Sequence, residues 1–518
     1  MQNQIHQTLD RPSSIILTRL PQNASSLPVV FARIFDLIQM KKRELGVIRR
    51  LAGLLIAVSV VLSCRREWLP PGKGELRWRP DTVRFDSLFS TVLSPTQRLW
   101  IYNPQSYPIR LYRIFLEKGS RSPFSFIWNG ISGPILTNVE LPARDSVQVF
   151  LSLRDTVPYN QSREDALVLE VAGGEVHRVP LRATLIAAYV YRDFGFDSLS
   201  LSLPTDKPIV IDGYFYIGPM GVLRIPAGAR LYFSGRRWDS GVLAGELMSG
   251  LYVAGRLEVL GTAEAPVTFQ GWRLEPYYAS APGQWMGLWL LPSAQSCEIH
   301  HAIIRQASIG IRIDSAGSSL YPKLRLQNCL ISDAANYGVL ALGFSPGLPP
   351  APILEMTNTL IYRCGQACTA LLGGGWYRFV HSSLIYDQGD TRRGQTSLLV
   401  TDFLRTEAGT QTYPLRLTLL NTLLWSTKPN SYGSDLRGPA PEALFDHCAL
   451  RQEENRPAGT NYFPSDPGLG PASEAYPLRE GSPLIDAGAY QAGVTPSTDR
   501  LGRPRDNQPD IGCYEYLR

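Results

Sequence analysis

Three charged residues at matching places in successive repeats are the first candidates for chemistry. Asp333, Arg363 and Asp387 each lie two residues beyond the last apolar position of a short repeated phrase. If the repeats stack as strands, two strand spacings put the carboxylates about 10 Å apart with the guanidinium between them. An inverting glycoside hydrolase needs two carboxyl groups roughly 6.5–9.5 Å apart, one as the acid and one as the base.

The same three residues have two other interpretations. A polysaccharide lyase combines a basic residue with carboxylates that hold calcium, so Ca²⁺ would be the cofactor of that interpretation. The alternative is a charge-alternating ladder on a solvated face, where each ion pair contributes little free energy. We favour the ladder because it explains the residue types without a catalytic site. Apart from this calcium hypothesis, the sequence predicts no cofactor and no metal site.

The phrase itself reads polar, small, apolar, apolar. Its six copies, 24 to 39 residues apart, are 301–304, 328–331, 358–361, 382–385, 421–424 and 447–450. A period of roughly 20–50 residues indicates a repeat architecture, and the Ile, Leu and Val content favours strands over helix pairs. The sequence therefore predicts stacked rungs, each made of strands joined by turns of uneven length.

Stacking turns each position of the phrase into a column. The polar column contains His301, Asn328, Asn358, Ser382, Asn421 and His447. Asn side chains that stack in this way can hydrogen-bond from one rung to the next. The following column contains small residues, which predicts an inward position and makes Cys329 and Cys448 free, buried thiols. Cys364 and Cys368 are close in sequence, and the pattern leaves open whether they form a disulfide.

Earlier segments with the same character extend the repeat region towards the N-terminus. They are 209–217, 221–233, 251–262, 266–271 and 283–290. Together with the six phrases they resemble right-handed parallel β-helix proteins of bacterial surfaces, with the pectin lyase-like fold, over a predicted domain of 207–455. That resemblance implies contact with glycans, since many such proteins are polysaccharide lyases or hydrolases. Trp285, Trp289, Trp376 and Tyr377 are candidate platforms for sugar rings, with packing as the commoner role of such aromatic residues.

Residues 76–187 show short segments of period-2 alternation, such as 98–102 and 146–151, separated by turn residues. This pattern predicts a β-sandwich of about 100 residues. The stretch 100–111, with an Asn, a turn and a Pro-Ile strand, resembles bacterial immunoglobulin-like domains, which act as spacers or assembly modules. We expect residues 188–206 to form a linker to the β-helix.

The N-terminal region predicts export. A basic stretch from Lys41 to Arg50 precedes an apolar run, 51–62, that is too short to span a bilayer, and Ser63 and Cys64 follow it. This order resembles the lipobox of bacterial lipoproteins, which implies lipidation at Cys64 and a membrane as partner. We expect 1–39 to be an upstream extension, 40–63 the signal peptide and 64–75 a linker. The implied location is the outer membrane, with the periplasmic or cell-surface side left open.

The C-terminal segment, 456–518, has a signature of its own in 481–488, 499–505 and 510–515. It resembles the choice-of-anchor type of ending that follows β-helices in bacterial surface proteins. A solenoid needs an atypical last unit to close its open edge, so we expect this segment to cap the end of the β-helix. Its carboxylates could bind a cation, but turn and capping roles are the simpler expectation.

Composition agrees with an all-β, multidomain, exported protein. The chain has 518 residues with Gly 45, Pro 40, 19% charged residues and a net charge of +6, and no basic helix predicts a nucleic-acid partner. Seven cysteines without a CxxC pair indicate no zinc site. The predicted function is an envelope-anchored lipoprotein with a non-catalytic role, which presents a β-helix to a polysaccharide or an envelope protein. The alternative is a carbohydrate-active enzyme, a lyase or a glycoside hydrolase.

Overall fold

The computed structural model describes residues 74–90, 94–155, 160–239, 246–317, 320–387, 396–407 and 409–517. The predicted upstream extension, the signal peptide and Cys64 lie outside these residues. Within them the protein is all-β, with 3-10 helices only at Gly119–Arg121, Pro276–Tyr278 and Ala472–Glu474. No helix of the described part is long and apolar enough to cross a bilayer.

The first part of the described chain is a β-sandwich. Its strands are β1 Arg77–Arg79, β2 Val83–Phe89, β3 Gln97–Tyr102, β4 Ile109–Leu116, β5 Phe124–Trp128, β6 Ile131–Ser132, β7 Ile135–Leu141, β8 Ser146–Leu153, β9 Gln161–Val171 and β10 Val176–Ile186. They form two five-stranded sheets, β1-β3-β8-β5-β6 and β2-β10-β9-β4-β7. Alternating residues such as Leu99, Val149 and Leu181 point into the core between the sheets, as period-2 patterning requires.

The second part is a parallel β-helix with three faces, which share a 17-stranded and a nine-stranded sheet. The long strands β11 Tyr189–Phe196 and β13 Ile209–Ile217 run along both the first and the second face. The remaining strands of the first face are β15 Arg230–Phe233, β20 Val267–Gly271, β23 Ala302–Arg305, β26 Leu330–Ala334, β29 Leu360–Cys364, β32 Ser383–Tyr386, β37 Leu423–Ser426 and β40 Ala449–Leu450.

The strands of the second face are β18 Gly250–Val253, β21 Leu288–Leu290, β24 Ile309–Asp314, β27 Tyr337–Leu342, β30 Ala367–Leu372, β33 Thr396–Thr401 and β38 Tyr432–Asp435. Those of the third face are β12 Ser200–Ser202, β14 Val222–Pro226, β19 Arg256–Leu260, β22 Cys297–His300, β25 Leu324–Gln327, β28 Leu354–Thr357, β31 Gly375–Val380, β36 Leu415–Leu420 and β39 Glu442–Asp446. Two antiparallel hairpins, β16 Arg237–Asp239 with β17 Glu246–Met248 and β34 Phe403–Thr406 with β35 Gly409–Thr412, project from the corners. The prediction of an all-β chain with a β-sandwich before a parallel β-helix is confirmed.

The core of the β-helix is a set of stacked apolar columns. Ile304, Ile331, Ile361, Leu384 and Leu424 occupy one column on consecutive rungs, and all are buried. Burying one such side chain contributes about 1.5–3 kcal/mol, which offsets the conformational entropy lost in ordering the rungs. The cysteines of the described part, Cys364 and Cys368 included, are buried free thiols.

The expected linker at 188–206 is wrong. β11 pairs in parallel with β13, and β12 pairs with β14, so these residues form the first rung. Tyr191, Phe194 and Phe196 lie partly buried against the core, and the rings of Tyr191 and Phe194 pack on Phe215. This rung uses aromatic residues in place of Ile, Val and Leu because bulky rings cover the open end of the core. The rung therefore lacks the aliphatic pattern by which the later rungs are recognised in the sequence.

The C-terminal segment was expected to close the end of the β-helix, and only its first residues do so. Leu450 donates its N–H to Tyr462 (2.9 Å), whose own N–H donates to Cys448 (2.8 Å). The remainder, residues 469–516, turns back along the outer side of the first face; we call it the strap. Its residues Leu484 and Ile511 are buried in one cluster with Leu360 of β29.

The physical reason for this placement lies in the phrase itself. Its third position points outward, yet it is apolar in most copies: Ile303, Leu330, Leu360, Leu423 and Ala449. A strand that is apolar on both sides has to be covered on both sides. The strap supplies the outer cover, so the expectation of an end cap was wrong for most of the segment.

Candidate functional site

The corner between the first and second faces brings two of the predicted residues together. Gln306, Asp333 and Arg363 each turn the chain there in the left-handed conformation, with φ of 65°, 55° and 51°. Arg363 lies on the rung next to Asp333, with Nε 2.8 Å from Oδ1 and Nη2 donating to Oδ2 at 2.8 Å. Only the Nη2 contact is a hydrogen bond, and its charge assistance makes it one of the stronger kinds of polar contact in proteins.

The Asp333 carboxylate is enclosed. It accepts a further hydrogen bond from the Ser332 hydroxyl (2.8 Å), and only 4% of the residue is exposed. The interpretation as an ion-pair ladder is therefore closer to the structure than the catalytic one. The solvated setting expected for that ladder holds only for Arg363, whose side chain is 37% exposed, and is wrong for the buried Asp333 carboxylate.

Asp387 does not belong to this column. The fourth copy of the phrase is 381–384, since Ser383 pairs with Leu360 and Tyr386 pairs with Ser426. Tyr386 therefore occupies the position that was assigned to Asp387, and the predicted acid–base–acid series does not form. The assignment failed because Ser382 and Ser383 both fit the small position of the phrase, which left its frame ambiguous by one residue.

Asp387 instead meets the strap. Its Oδ2 accepts a hydrogen bond of 2.6 Å from the hydroxyl of Tyr476. Burial and this carboxylate raise the pKa of Tyr476 above its ordinary value. The Tyr476 ring also packs edge-on against Tyr362, with centroids 5.4 Å apart. Asp387 thus helps to hold the strap on the first face.

The polar column at the corner between the third and first faces is a hydrogen-bonded ladder, as predicted. Asn328 donates to His301 Nε2 (3.0 Å), and Asn358 donates to Asn328 Oδ1 (3.0 Å). Two rungs further on, Asn421 donates to His381 Nε2 (2.8 Å), so His381 takes the place expected for Ser382. These residues have φ between 45° and 55°, a region where Asn is tolerated better than most residues.

His381 is locked in one protonation state by this ladder. Its Nε2 accepts from Asn421, so Nδ1 carries the proton and donates to the carbonyl of Asp510 in the strap (3.1 Å). Burial lowers the pKa of His381 well below its ordinary value, and the nearby Arg505 acts in the same direction. A neutral imidazole held by two partners serves as a structural group.

The small column points inward and is also hydrogen-bonded between rungs. The backbone N–H of Cys329 donates to Thr359 Oγ1 (3.4 Å), and that of Thr359 donates to Ser382 Oγ (3.3 Å). Each hydroxyl in turn donates to a carbonyl two residues earlier, as Thr359 does to Thr357 (3.0 Å). Cys329 and Cys448 fit the same column as buried thiols, and burial raises the pKa of each to about 12.

Two of the candidate sugar platforms are core residues, so that expectation was wrong for them. Trp285 is fully buried, stacks on Phe233 with centroids 3.9 Å apart and donates Nε1–H to the carbonyl of Arg305 (2.7 Å). Tyr377 is fully buried and donates to the carbonyl of Gly374 (2.8 Å). Tyr377 lies in the inward phase of β31, and Trp285 forms an isolated parallel bridge with Ala307 just before β21.

The other two candidates point outward without forming open platforms. Trp289 is 6% exposed because the Arg312 guanidinium lies 4.0 Å from its ring centroid, and its Nε1–H donates to Asp314 (2.7 Å). Trp376 is half-buried beside Arg416 on the third face. Neither lies near Asp333, so the structure does not bring the predicted charged and aromatic residues into one site.

The strap carboxylates do the turn and capping work expected of them. Asp499 accepts backbone N–H groups from Leu501, Arg503 and Glu515 at 2.8 to 3.0 Å. Asp510 likewise accepts from the backbone of Asp486 (2.8 Å). Among the residues that the structure describes, no group of three His, Cys, Asp or Glu side chains is placed to hold a metal ion.

A lateral cleft of about 630 Å³ at the corner between the second and third faces was not anticipated. It is lined by residues 292–296, 316–317, 321 and 323, together with Arg256 at the start of β19. Lys323 is 1% exposed, and its ammonium donates to the carbonyls of Pro292 (3.0 Å) and Asp314 (2.6 Å). Burial lowers the pKa of Lys323 to about 8, so the group remains mainly charged at neutral pH.

The sequence carried only a weak signal for this cleft. Lys323 precedes the apolar start of β25, where a charged residue would ordinarily be taken as part of a solvated loop. The cleft forms because the segments that follow β21 and β24, which are separated in the chain by one strand of each face, meet at one corner. That meeting depends on tertiary stacking, which no local pattern records.

No protein-family model matches the chain, and no curated protein matches it. Among solved structures, pectate lyase Pel9A is similar with a TM-score of 0.31 and 10% identity, over 64% of this chain and 88% of the lyase. The catalytic domain of a GH87 α-1,3-glucanase gives a TM-score of 0.13 and 9% identity, over 69% of this chain and 82% of that one. A PapD-like domain of human CEP192 gives 0.17 and 14%, over 23% and 89%. Similarities this distant carry no information about activity or ligand.

Proposed function

We propose that this chain is an envelope-anchored lipoprotein whose β-helix binds a glycan or another envelope component without cleaving it. The absence of catalysis is proposed because both candidate carboxylates, Asp333 and Asp387, already form contacts within the protein. Asp333 is enclosed by Arg363 and Ser332, and Asp387 accepts from Tyr476. A general acid or base has to reach a substrate proton at hydrogen-bond distance, and these carboxylates already serve internal contacts.

The third face has a regular, charge-balanced surface, which supports the proposal that the β-helix presents a binding surface to its partner. Arg325 bridges Glu298 (3.3 Å) and Glu355 (3.1 Å), and Arg378 reaches the same Glu355 (3.2 Å). Half-exposed pairs of this kind contribute little stability, but they keep a long β surface soluble and discourage nonspecific pairing. In this proposal the β-sandwich acts as an immunoglobulin-like spacer between the membrane and the β-helix.

The catalytic alternative is tested with the purified chain and a panel of neutral and acidic polysaccharides. Binding is measured by affinity electrophoresis, and cleavage by the appearance of reducing or unsaturated ends. We expect binding to at least one polysaccharide and no new ends. Cleavage that disappears in Asp333→Asn, while the circular dichroism of that variant stays native, would establish the enzyme and overturn the proposal.

The anchor is tested separately in cells. We expect radiolabelled palmitate to be incorporated into the native chain, which should fractionate with membranes, and the Cys64→Ser variant to lose both properties. The reason is that acyl chains on one cysteine are the proposed membrane attachment. Retention of label and of membrane association in Cys64→Ser would refute the lipoprotein assignment without touching the binding role.

A further inference from the structure

We propose that the lateral cleft binds the phosphate monoester group of a phosphorylated saccharide, with Arg256 and Lys323 as its cationic contacts. The inference rests on the proposed glycan-binding role and names a site and a ligand chemistry for it. It starts from the lining of the cleft, in which the charged residues are these two cations.

The walls of the cleft are joined to each other by hydrogen bonds that involve no ligand. Lys323 donates to the carbonyl of Pro292 on the opposite wall (3.0 Å), and Ser296 Oγ donates to the carbonyl of Pro322 (2.8 Å). Gln295 adds a bond from its side chain to Pro219 (2.9 Å). A preorganised cleft binds without the entropy cost of ordering its loops.

The charge around the cleft is positive after neighbouring ion pairs are taken into account. Arg256 Nε lies 2.9 Å from Glu258, but the same carboxylate also binds Arg224 (2.7 Å), so this group of three carries one net positive charge. Lys323 adds a second. The Asp314 side chain does not offset it, because Arg312 pairs with that carboxylate (2.7 Å). Two net positive charges match a phosphate monoester better than a single carboxylate.

Each contact has donors suited to this ligand. A lysine ammonium has three N–H groups, and two of them serve the carbonyls of Pro292 and Asp314, which leaves the third for a ligand oxygen. Arg256 presents a planar guanidinium, which favours phosphate oxygens. Tyr321 also lines the cleft and is 67% exposed, and exposed aromatic side chains are suited to contact with the apolar side of a sugar ring.

The experiment titrates the full chain with glucose 6-phosphate, glucose and glucuronic acid by isothermal calorimetry. We expect glucose 6-phosphate to bind at least about tenfold more tightly than either of the other two, because charge-assisted hydrogen bonds to a dianion dominate. Vesicles that contain phosphatidic acid form a separate arm, and preferential binding to them would assign the same phosphate chemistry to a lipid. Equal affinity for glucuronic acid and glucose 6-phosphate would overturn the inference.

Variants locate the site. Arg256→Gln should weaken glucose 6-phosphate binding by about tenfold, because one charged contact is lost while Arg224 still holds Glu258. Arg325→Gln is the matched control, since it also removes an arginine paired with glutamates on the third face but lies outside the cleft. An equal loss in both variants would overturn the site. Polysaccharide binding that persists without any phosphate binding would overturn this inference alone and leave the proposed function standing.

Discussion

Asn358 lies where the ladder of the β-helix meets the strap. Its amide donates to Asn328 (3.0 Å) and to the carbonyl of Thr498 (2.7 Å), and its Oδ1 accepts from Arg505 (3.1 Å). The residue also turns the chain with φ of 47°. One side chain therefore satisfies a turn, a neighbouring rung and a distant segment, which explains why the polar column contains amides and imidazoles.

Comparison of Asn358→Ala with Asn358→Gly separates the contributions of the side-chain hydrogen bonds and of the left-handed backbone to the free energy of unfolding. We expect the alanine variant to lower the free energy of unfolding by about 2–4 kcal/mol, from lost hydrogen bonds and the left-handed conformation together. The glycine variant should recover roughly 1 kcal/mol of that loss, since glycine adopts positive φ without strain. Urea unfolding followed by circular dichroism measures both. Equal stability of the two variants would show that the turn carries no strain.

The titration of Glu515, a residue of the strap, makes the free energy of unfolding depend on pH. Its carboxylate binds Arg505 (2.7 Å), yet burial raises the pKa of Glu515 to about 7 from its ordinary value of 4.5, and nearby Asp510 adds to the shift. A raised carboxyl pKa stabilises the fold below the unfolded pKa, and that stability is lost as the pH rises through the folded pKa. The free energy of unfolding should therefore fall between about pH 4.5 and pH 7.

Glu515→Gln tests this dependence, because an amide cannot ionise. We expect the fall in unfolding free energy between pH 5 and pH 7.5 to be smaller in this variant than in the native chain, as measured by urea titration. Glu453→Gln serves as the control, since Glu453 is an exposed loop carboxylate. If the unfolding free energy of Glu515→Gln fell as much with pH as that of the native chain, titration of Glu515 would not be the cause of the fall.

At the scale of elements, the strap is an outer layer for the first face. Leu484, Ile511 and Tyr514 bury the outward column of β26, β29 and β37, and Gly512 N donates to the carbonyl of Asn421 (2.8 Å). Strands that are apolar on both sides would otherwise expose a continuous hydrophobic patch. The strap therefore contributes to the stability of the rungs along its path, and its role is wider than closing one end.

Leu484→Ala should lower the free energy of unfolding by about 2–5 kcal/mol, because it leaves a cavity between the strap and the first face. We also expect faster proteolytic cleavage within 469–516 and increased binding of a hydrophobic dye. Leu501→Ala is the control, since Leu501 belongs to the strap and is 43% exposed. Comparable destabilisation by the two substitutions would argue against a packed strap.

At the scale of the molecule, the β-sandwich joins the β-helix through a small apolar contact and a short connection. Phe89 and Val210 are buried there, and the Phe89 ring lies 4.6 Å from that of Tyr232. β10 ends at Ile186 and β11 begins at Tyr189, which leaves two residues between the sheets. A direct junction of this kind limits the freedom of the proposed spacer.

Phe89→Ala should uncouple the two parts. We expect calorimetry to resolve two unfolding transitions, or to widen the gap between them, because the substitution removes about 3–5 kcal/mol of packing at the junction. Ile127→Ala, on the exposed surface of the sandwich, should leave the profile unchanged. A single native-like transition in Phe89→Ala would mean that packing of Phe89 is not what couples the two parts.

The sequence by itself determined the architecture and much of the ladder. Apolar residues at period 2, repeated every 24 to 39 residues, specify strands that must stack, because only neighbouring rungs can satisfy their backbone groups. The polar and small columns followed from that stacking, and Asn328, Asn358 and Asn421 form the hydrogen bonds expected of them. The pairing of Asp333 with Arg363 on neighbouring rungs was predicted on the same basis.

Only the tertiary structure decided which four residues form the fourth copy of the phrase, where the strap lies and where the cleft forms. A shift of one residue exchanges inward and outward side chains, and Ser382 and Ser383 fit either frame, so pairing with β29 and β37 had to settle it. The strap and the cleft depend on contacts between segments far apart in the chain. Such contacts, as between Lys323 and Pro292 or Asn358 and Thr498, are set by the packing of whole rungs and leave no periodic trace in the sequence.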